Sequence, residues 1–183
     1  MEFVFYLSHL YQDLWFSKEF IMSKKIEKTN ACRILDGLKI PYEILEYEVD
    51  ENNLDAVHVA NSCKKPIEQV YKTIVCECGG EYITACLQGD LSLDLKALAR
   101  IAKVKRTELM NLKELTKITG YVRGGCSPLG MKKHFRTFID SRALTQTQIC
   151  VSAGVRGKQI WLNPNDLATA TKAEFGEFAV KFE

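Results

Sequence analysis

The chain has 183 residues, of which 46% are hydrophobic and 26% are charged, and its formal net charge is +2. This composition excludes an intrinsically disordered chain, which combines low hydrophobicity with high net charge, and the length suits a single domain. Seven cysteines without framework spacing favour free thiols in a reducing cytoplasm over a disulfide scaffold.

The first 21 residues are rich in aromatic side chains but lack a basic N-terminal region and a long apolar run. They therefore match neither a secretory signal nor a membrane span. A second methionine, Met22, begins the segment that reads as a domain. Residues 1–21 fit an upstream start site, an expression remnant or an additional amphipathic helix, and the sequence leaves all three open.

The N-terminal half of the domain alternates helical and extended patterns. Apolar residues at helical spacing predict a helix over 29–38, and alternation predicts a strand over 42–50. Asn53 is expected to cap a second helix, and Pro66 to begin a helical turn. Two β-rich runs flank Gly79-Gly80, a pair that is typical of a hairpin.

The C-terminal half begins with two predicted helices, at 92–104 and 108–119. A glycine-rich loop follows them. Three short strands and a capped helix then complete the chain, at 136–140, 148–154, 158–162 and 163–175. Strands and helices that mix without strict alternation indicate a single domain of the mixed α/β (α+β) class.

Cys76 and Cys78 lie two residues apart on a predicted strand, so their side chains share one face, as a pair of metal ligands can. The chain offers no second ligand pair, and its three histidines lie in unrelated segments. Burial in the core is therefore the favoured interpretation, and no metal or other cofactor is expected.

Residues 120–158 carry one acidic side chain, Asp140, and seven basic ones. Their net charge is +6, so the rest of the chain carries −4. This concentration predicts a phosphate-binding face, with an ordinary solvated basic surface as the alternative. The seven are Arg123, Lys132, Lys133, Arg136, Arg142, Arg156 and Lys158.

The loop GYVRGGCSPLGMKK, residues 120–133, can bring bare backbone amides close to a ligand, which would serve a phosphate or a developing oxyanion. A plain glycine-rich turn is the structural alternative, and the residue order is not that of a P-loop. Cys126 and His134 suggest a catalytic dyad, with the cysteine as nucleophile and the histidine as general base. No third group that would orient the histidine is identifiable. Lys72, which opens a predicted strand, could hold a phosphate or polarise a carbonyl.

Four segments in one order resemble the YbaK/EbsC family of aminoacyl-tRNA deacylases. The resemblance spans 22–183 and leaves 1–21 as an extension outside the deacylase domain. It implies the fold of the editing domain of prolyl-tRNA synthetases, with a mixed, barrel-like sheet flanked by helices. The segments are QVYKT (69–73), GYVRGGCSPLGMKK (120–133), FID (138–140) and VSAGVRGKQIWLNPNDLA (151–168).

The resemblance implies editing in trans: removal of cysteine wrongly attached to proline tRNA, with cysteine tRNA as a further candidate substrate. Prolyl-tRNA synthetase is a candidate partner, and a cytoplasmic location without membrane contact is expected. In this family the thiol of the substrate is thought to attack its own ester, which fits the lack of a convincing protein nucleophile. A deacylase that clears alanine from proline tRNA and a non-catalytic tRNA- or synthetase-binding module remain alternatives.

Residues are expected to fill three roles. The catalytic residues are Lys72, Gly124, Gly125 and Ser127. The substrate-binding residues are Tyr47, Thr73, Pro128, Gly130, Gly154, Arg156 and Gly157. The tRNA-binding residues, taken from the basic segment, are Arg123, Lys132, Lys133, Arg136 and Lys158. Two positions depart from the family pattern: Cys126 replaces an aliphatic residue, and Gln159 stands where some members have aspartate.

Overall fold

The structure is a computed structural model that describes residues 27–181, so the expectations for residues 1–21 fall outside it. The helices are α1 Asn30–Gly37, α2 Ala56–Ser62, α3 Leu95–Ala102, α4 Leu115–Thr119 and α5 Pro164–Thr171. Short 3-10 turns lie at Ile67–Gln69, Leu112–Glu114 and Ser141–Thr145. The strands are β1 Glu43–Glu46, β2 Tyr71–Cys78, β3 Glu81–Gln88, β4 Ser92–Leu93, β5 Glu108–Leu109, β6 Arg136–Asp140, β7 Ile149–Ser152, β8 Lys158–Leu162, β9 Glu174–Gly176 and β10 Ala179–Val180.

The largest sheet has the strand order β5-β2-β3-β6-β9. Strands β2 and β3 form the predicted antiparallel hairpin, with Tyr71 opposite Gln88, and β6 and β9 add in parallel. A second, antiparallel sheet has the order β1-β8-β7, and β4 pairs with β10. An isolated bridge from Val70 to Cys150 joins the start of β2 to β7. The mixed α/β class is confirmed, although the described strands do not close into a barrel.

The large sheet is buried on both faces. Phe138 and Ile139 are neighbours on β6 and both are fully buried, but they belong to different hydrophobic clusters. Successive side chains of a strand point to opposite faces, so each contributes to its own core. Burying a side chain of this size stabilises the fold by about 1.5–3 kcal/mol. Cys76 and Cys78 are also buried in a cluster, which confirms that they are core residues, and all seven cysteines are free.

Asp140 ends β6 and is fully buried. Its Oδ2 accepts hydrogen bonds from the amides of Phe178 (3.0 Å) and Ala179 (2.8 Å). Its Oδ1 accepts from the amide and the guanidinium of Arg142, each at 3.1 Å. The carboxylate therefore holds the C-terminal strand β10 against the large sheet, and the FID segment has a structural explanation.

Most predicted elements are present, with local differences. The cap of α2 is Asp55, whose side chain accepts from the amide of His58 at 2.7 Å, and not Asn53 as predicted. The helix predicted over 108–119 is helical only at its C-terminal end, in α4. Its first residues form β5, which pairs with the edge of β2, and a 3-10 turn lies between β5 and α4. Within residues 27–181, no helix has the length and apolar character needed to cross a membrane.

Candidate active site

A cleft of about 500 Å³ lies where the two larger sheets meet. Its walls come from the start of β2, the turn after β3, helix α2 with the residues before it, the glycine loop, and strands β7 and β8. Three of the predicted site residues face this common space: Lys72, Thr73 and Gly124. The lining residues are Leu54, Asp55, Ala56, Val57, Val59, Val70, Tyr71, Lys72, Thr73, Gly89, Asp90, Gly124, Cys126, Ser152 and Gln159.

Lys72 is the half-buried cation of the cleft. Its Nζ donates a hydrogen bond to the carbonyl of Gly89 at 2.9 Å. Burial lowers the pKa of this ammonium below its ordinary value, and the negative charge of Asp90 acts in the opposite direction. In a partly desolvated cleft a fixed ammonium interacts more strongly with a carbonyl oxygen or a phosphate than it would in water.

Gly89 holds the turn after β3 in a fixed position. Its amide donates to the carbonyl of Val70 at 2.8 Å, while its own carbonyl accepts from Lys72. A Cβ at this glycine would stand 2.2 Å from the Cβ of Ala56, so α2 packs directly on the bare backbone. The neighbouring Asp90, which the sequence reasoning missed, is thereby set at the edge of the cleft beside Lys72.

The glycine loop packs against the loop between β7 and β8. Gly124 has a φ of +80°, and a Cβ at Gly125 would approach the amide of Arg156 to 3.3 Å. The Nε of Arg156 donates to the carbonyl of Arg123 at 2.9 Å, and its guanidinium pairs with Glu51. Two loops that the sequence singled out separately are therefore one structural unit, pinned by Arg156.

The amide groups of this turn differ in their availability. The Gly125 amide donates to the carbonyl of Val122 at 3.0 Å and so closes the turn. The amides of Gly124, Cys126 and Ser127 donate to no acceptor in the described part of the chain. For the Gly125 amide to donate to an oxyanion, its hydrogen bond to the carbonyl of Val122 would have to break. The amides of Gly124 and Cys126 have no hydrogen bond within the described residues that would have to break first.

Ser127 does not line the cleft. It is fully buried, and its Oγ accepts from the amide of Leu129 at 3.2 Å. Pro128 and Gly130 line a second cavity of about 240 Å³, together with Lys133 and His134. Ser127, Pro128 and Gly130 therefore belong to the part of the glycine loop that does not line the cleft.

Cys126 and His134 line different cavities, so the structure does not assemble the pair that their sequence proximity suggested. Cys126 packs beside the buried cluster of Val75, Met110 and Leu115. Burial raises the pKa of the Cys126 thiol to about 12, so the thiol is almost entirely protonated at neutral pH.

Tyr47, Gly154 and Gly157 lie outside the cleft lining. The amide of Tyr47 donates to the carbonyl of Gly157 at 2.9 Å, which continues the β1–β8 pairing past the ends of these strands. The amide of Gly154 donates to Ser152 Oγ at 3.2 Å. Their contacts shape the loop that supports the glycine turn, and their predicted contact with substrate stays a prediction.

Three of the five predicted tRNA-binding residues have intramolecular partners. Lys132 Nζ lies 3.4 Å from the carbonyls of Thr116 and Lys117 at the end of α4. Arg136 donates to the carbonyl of Ala102 at 3.0 Å and pairs with Glu174, and Lys158 pairs with Glu46 at 3.2 Å. The side chains of Arg123 and Lys133 are exposed and have no partner within residues 27–181.

Gln159 is a second cleft residue that the sequence reasoning did not assign. It is 5% exposed, yet its side-chain amide makes no hydrogen bond within the described residues. Ser152 is its cross-strand partner and also faces the cleft. Gln159 lines the cleft and its amide has no partner within the described residues, so the amide is available to a polar group there.

The fold that contains this cleft is that of an aminoacyl-tRNA editing domain. Residues 50–170 match the aminoacyl-tRNA editing domain family, and the chain belongs to that family. It is 40% identical over 160 residues to EbsC of Enterococcus faecalis, a protein named as a Cys-tRNA(Pro)/Cys-tRNA(Cys) deacylase. That alignment covers 86% of this chain and 97% of EbsC, which confirms the recognised family.

Solved structures share the fold at lower sequence identity. A protein described as a trans-editing enzyme for prolyl tRNA synthetase matches with a TM-score of 0.68 and 18% identity, over 76% of this chain and 87% of its own. Hypothetical protein APE2540 matches with a TM-score of 0.74 and 17% identity, over 81% and 97% of the two chains. Both matches place the chain in the same fold.

Proposed function

We propose that this protein is a deacylase that removes cysteine from mischarged proline tRNA, acting in trans on the 3′ aminoacyl ester. The observation that carries the proposal is that Lys72 and the glycine turn face one cleft in a chain that aligns with nearly all of EbsC. A cleft of about 500 Å³ falls in the size range of small-molecule sites, so it can admit the aminoacyl end of a tRNA.

In the proposed mechanism, the ester carbonyl lies beside the Lys72 ammonium. The uncommitted amides of the two glycine-loop residues that line the cleft, Gly124 and Cys126, are the candidate donors to the oxygen that becomes negative in the transition state. Each such donor can contribute about 3 kcal/mol to transition-state stabilisation. Gly125 supports this arrangement by closing the turn through Val122.

The nucleophile in this mechanism is the thiol of the substrate cysteine. Its sulfur attacks the carbonyl carbon, the ester carbon–oxygen bond breaks, and the thiol proton ends on the released ribose hydroxyl. The products are uncharged tRNA and a cyclic thioester, which water then hydrolyses. Cys126, the cysteine of the glycine loop, is a poor alternative nucleophile, because burial raises the pKa of its thiol to about 12. This supports the substrate thiol as the nucleophile.

The test is turnover of the purified protein on three versions of proline tRNA, charged with cysteine, alanine or serine. Serine matches cysteine in shape but replaces the thiol with a hydroxyl, so it isolates the contribution of the sulfur. Rapid loss of cysteine with slow loss of serine and alanine is the expected result. Preference for the alanyl ester would indicate a deacylase that clears alanine from proline tRNA. No turnover of any of the three esters would indicate a non-catalytic binding module.

Prolyl-tRNA synthetase is the proposed partner that supplies tRNA selectivity. The exposed cations Arg123 and Lys133 can contact phosphates but cannot distinguish one tRNA from another, because phosphate contacts carry no sequence information. We expect the ratio of the deacylation rate on cysteinyl-tRNA(Pro) to the rate on cysteinyl-tRNA(Cys) to rise when the synthetase is added. An unchanged ratio would argue against a selectivity role for the synthetase.

A further inference from the structure

Among its described lining residues, the cleft contains two carboxylates, Asp55 and Asp90, and they differ in their commitments. Asp55 is exposed and caps α2 by accepting from the amide of His58 at 2.7 Å. Asp90 is half-buried, and its Oδ1 accepts from the side-chain amide of Gln88 at 2.7 Å. No described residue donates to Oδ2 of Asp90, so this carboxylate can accept a further donor.

The position of Asp90 is fixed by the backbone around it. The preceding Gly89 is hydrogen-bonded through both its amide and its carbonyl, to Val70 and Lys72, and it leaves no space against Ala56. Asp90 is close enough to Lys72 for its charge to oppose the effect of burial on the lysine. A carboxylate and an ammonium are therefore held side by side on one wall of the cleft.

An aminoacyl ester presents a matching pair of groups. Its carbonyl is polar and develops negative charge during cleavage, and its α-ammonium is attached to the adjacent carbon. An ammonium that entered beside the Lys72 cation alone would be repelled, because like charges oppose each other more strongly in a partly buried site than in water. A carboxylate beside the lysine removes this penalty. Gln159, the uncommitted amide of the opposite sheet, is neutral and cannot replace it.

We propose that Asp90 binds the α-ammonium group of the aminoacyl ester and so makes the cleft selective for substrates with a free amino group. This inference rests on the proposed deacylase function and adds a chemical criterion to it. N-acylated esters, including peptidyl-tRNA, lack the positive charge and leave Asp90 desolvated without a partner, so they are rejected. An editing enzyme built in this way spares the growing peptide chain.

The experiment compares three esters on the same tRNA(Pro): cysteinyl, N-acetylcysteinyl, and 3-mercapto-2-hydroxypropanoyl. The last has nearly the size of the cysteinyl group but carries a hydroxyl in place of the ammonium, and all three keep the thiol. The variant is Asp90→Asn. The matched control is Asp55→Asn, which removes a charge from the same cleft, and its asparagine can still cap α2.

Wild-type protein is expected to cleave the cysteinyl ester about 10- to 100-fold faster than the hydroxy ester, as loss of a charge-assisted hydrogen bond predicts. In Asp90→Asn this ratio should fall towards one through loss of activity on the cysteinyl ester, whereas Asp55→Asn should keep the wild-type ratio. Asp90→Glu, which retains the charge, should recover part of the preference.

Equal losses on the cysteinyl and hydroxy esters in Asp90→Asn would show a structural role and overturn the inference, while leaving deacylation intact. Wild-type cleavage of the cysteinyl and hydroxy esters at equal rates would overturn it as well. Failure of the wild-type protein to cleave any aminoacyl ester would instead overturn the proposed function together with this inference. Thermal unfolding of each variant shows that the rates come from folded protein.

Discussion

The Lys72 ammonium donates a 2.9 Å hydrogen bond to the carbonyl of Gly89, which links the start of β2 to the turn after β3. This bond fixes the direction of a flexible side chain. It also keeps the charge within a partly desolvated space that Gly124 borders from the other side. The prediction that follows concerns the charge itself.

Lys72→Ala is expected to reduce the single-turnover rate on cysteinyl-tRNA by about 100-fold or more, because a fixed positive charge at the reacting carbonyl is removed. The fold should survive, since Lys72 is only half-buried and is the second residue of its strand. The control is Lys113→Ala, an exposed lysine in the 3-10 turn before α4. Wild-type activity in Lys72→Ala would remove this lysine from the mechanism.

The pH dependence of the rate should reveal the lowered pKa of Lys72. If the protonated ammonium is required, the ratio of the wild-type kcat/KM to that of Lys72→Arg is constant at low pH and falls as pH rises through a pKa that lies below the ordinary value of 10.5. Lys72→Arg keeps its charge up to about pH 12, so ionisation of the substrate's thiol and α-ammonium affects both proteins alike and cancels in this ratio. Rates are measured between about pH 6 and about pH 9.5, after subtraction of spontaneous ester hydrolysis. A ratio that rises with pH would indicate that Lys72 acts as a neutral base.

Local elements of the fold could be predicted where one residue type determines them. Gly79-Gly80 closes the hairpin, and Asn163 with Pro164 begins α5, as the sequence indicated. The failure at 108–119 has a tertiary cause: Glu108 and Leu109 pair with the exposed edge of β2, which outweighs a local helical pattern. The backbone groups that the edge of β2 offers for pairing, not the spacing within the segment, decide its structure.

The walls of the cleft could be predicted to the level of segments, and the chemical roles of individual side chains stay predictions. Motif order correctly brought Lys72 and Gly124 to one place. Ser127 and Lys132 could not be placed in this way, because their partners are backbone groups that only the folded turn and the end of α4 present. Asp90 carried no motif at all, and its position beside Lys72 depends on pairing between β2 and β3.

Cys126 is expected to be dispensable for chemistry. Burial raises the pKa of its thiol to about 12, and His134 lines a different cavity, so neither a thiolate nor a neighbouring base is available. Cys126→Ser should retain most of the deacylation rate, and Cys126→Ala should do the same with a small loss of stability. The measurement is turnover on cysteinyl-tRNA, alongside the extent of iodoacetamide labelling at Cys126. An inactive, folded Cys126→Ser would restore the cysteine as nucleophile.

Binding of tRNA should depend on the two exposed cations. Replacing Arg123 and Lys133 together by alanine is expected to weaken binding and to reduce the slope of log K against log salt by about 1 to 2, as loss of two phosphate contacts predicts. Lys132→Ala is the matched control: its ammonium lies at the carbonyl end of α4, so it should lower stability by about 0.3–1 kcal/mol with less effect on tRNA affinity. An unchanged salt slope in the double variant would show that both cations are only solvated surface.

Asp140→Ala should be the most destabilising of these substitutions, and its effect should be confined to folding. The buried carboxylate accepts from the amides of Phe178, Ala179 and Arg142 and from the Arg142 guanidinium, so its removal leaves three amides without their acceptor, while the guanidinium keeps the carbonyl of Ala179. Each buried amide that is left without an acceptor costs about 1–3 kcal/mol. The free energy of unfolding in urea measures the loss, and Glu177→Ala, an exposed acidic residue next to the same strand, is the control. Because Asp140 does not line the cleft, the activity per folded molecule should stay at the wild-type level. A stable Asp140→Ala variant that lacked deacylation would instead make the FID carboxylate part of the chemistry.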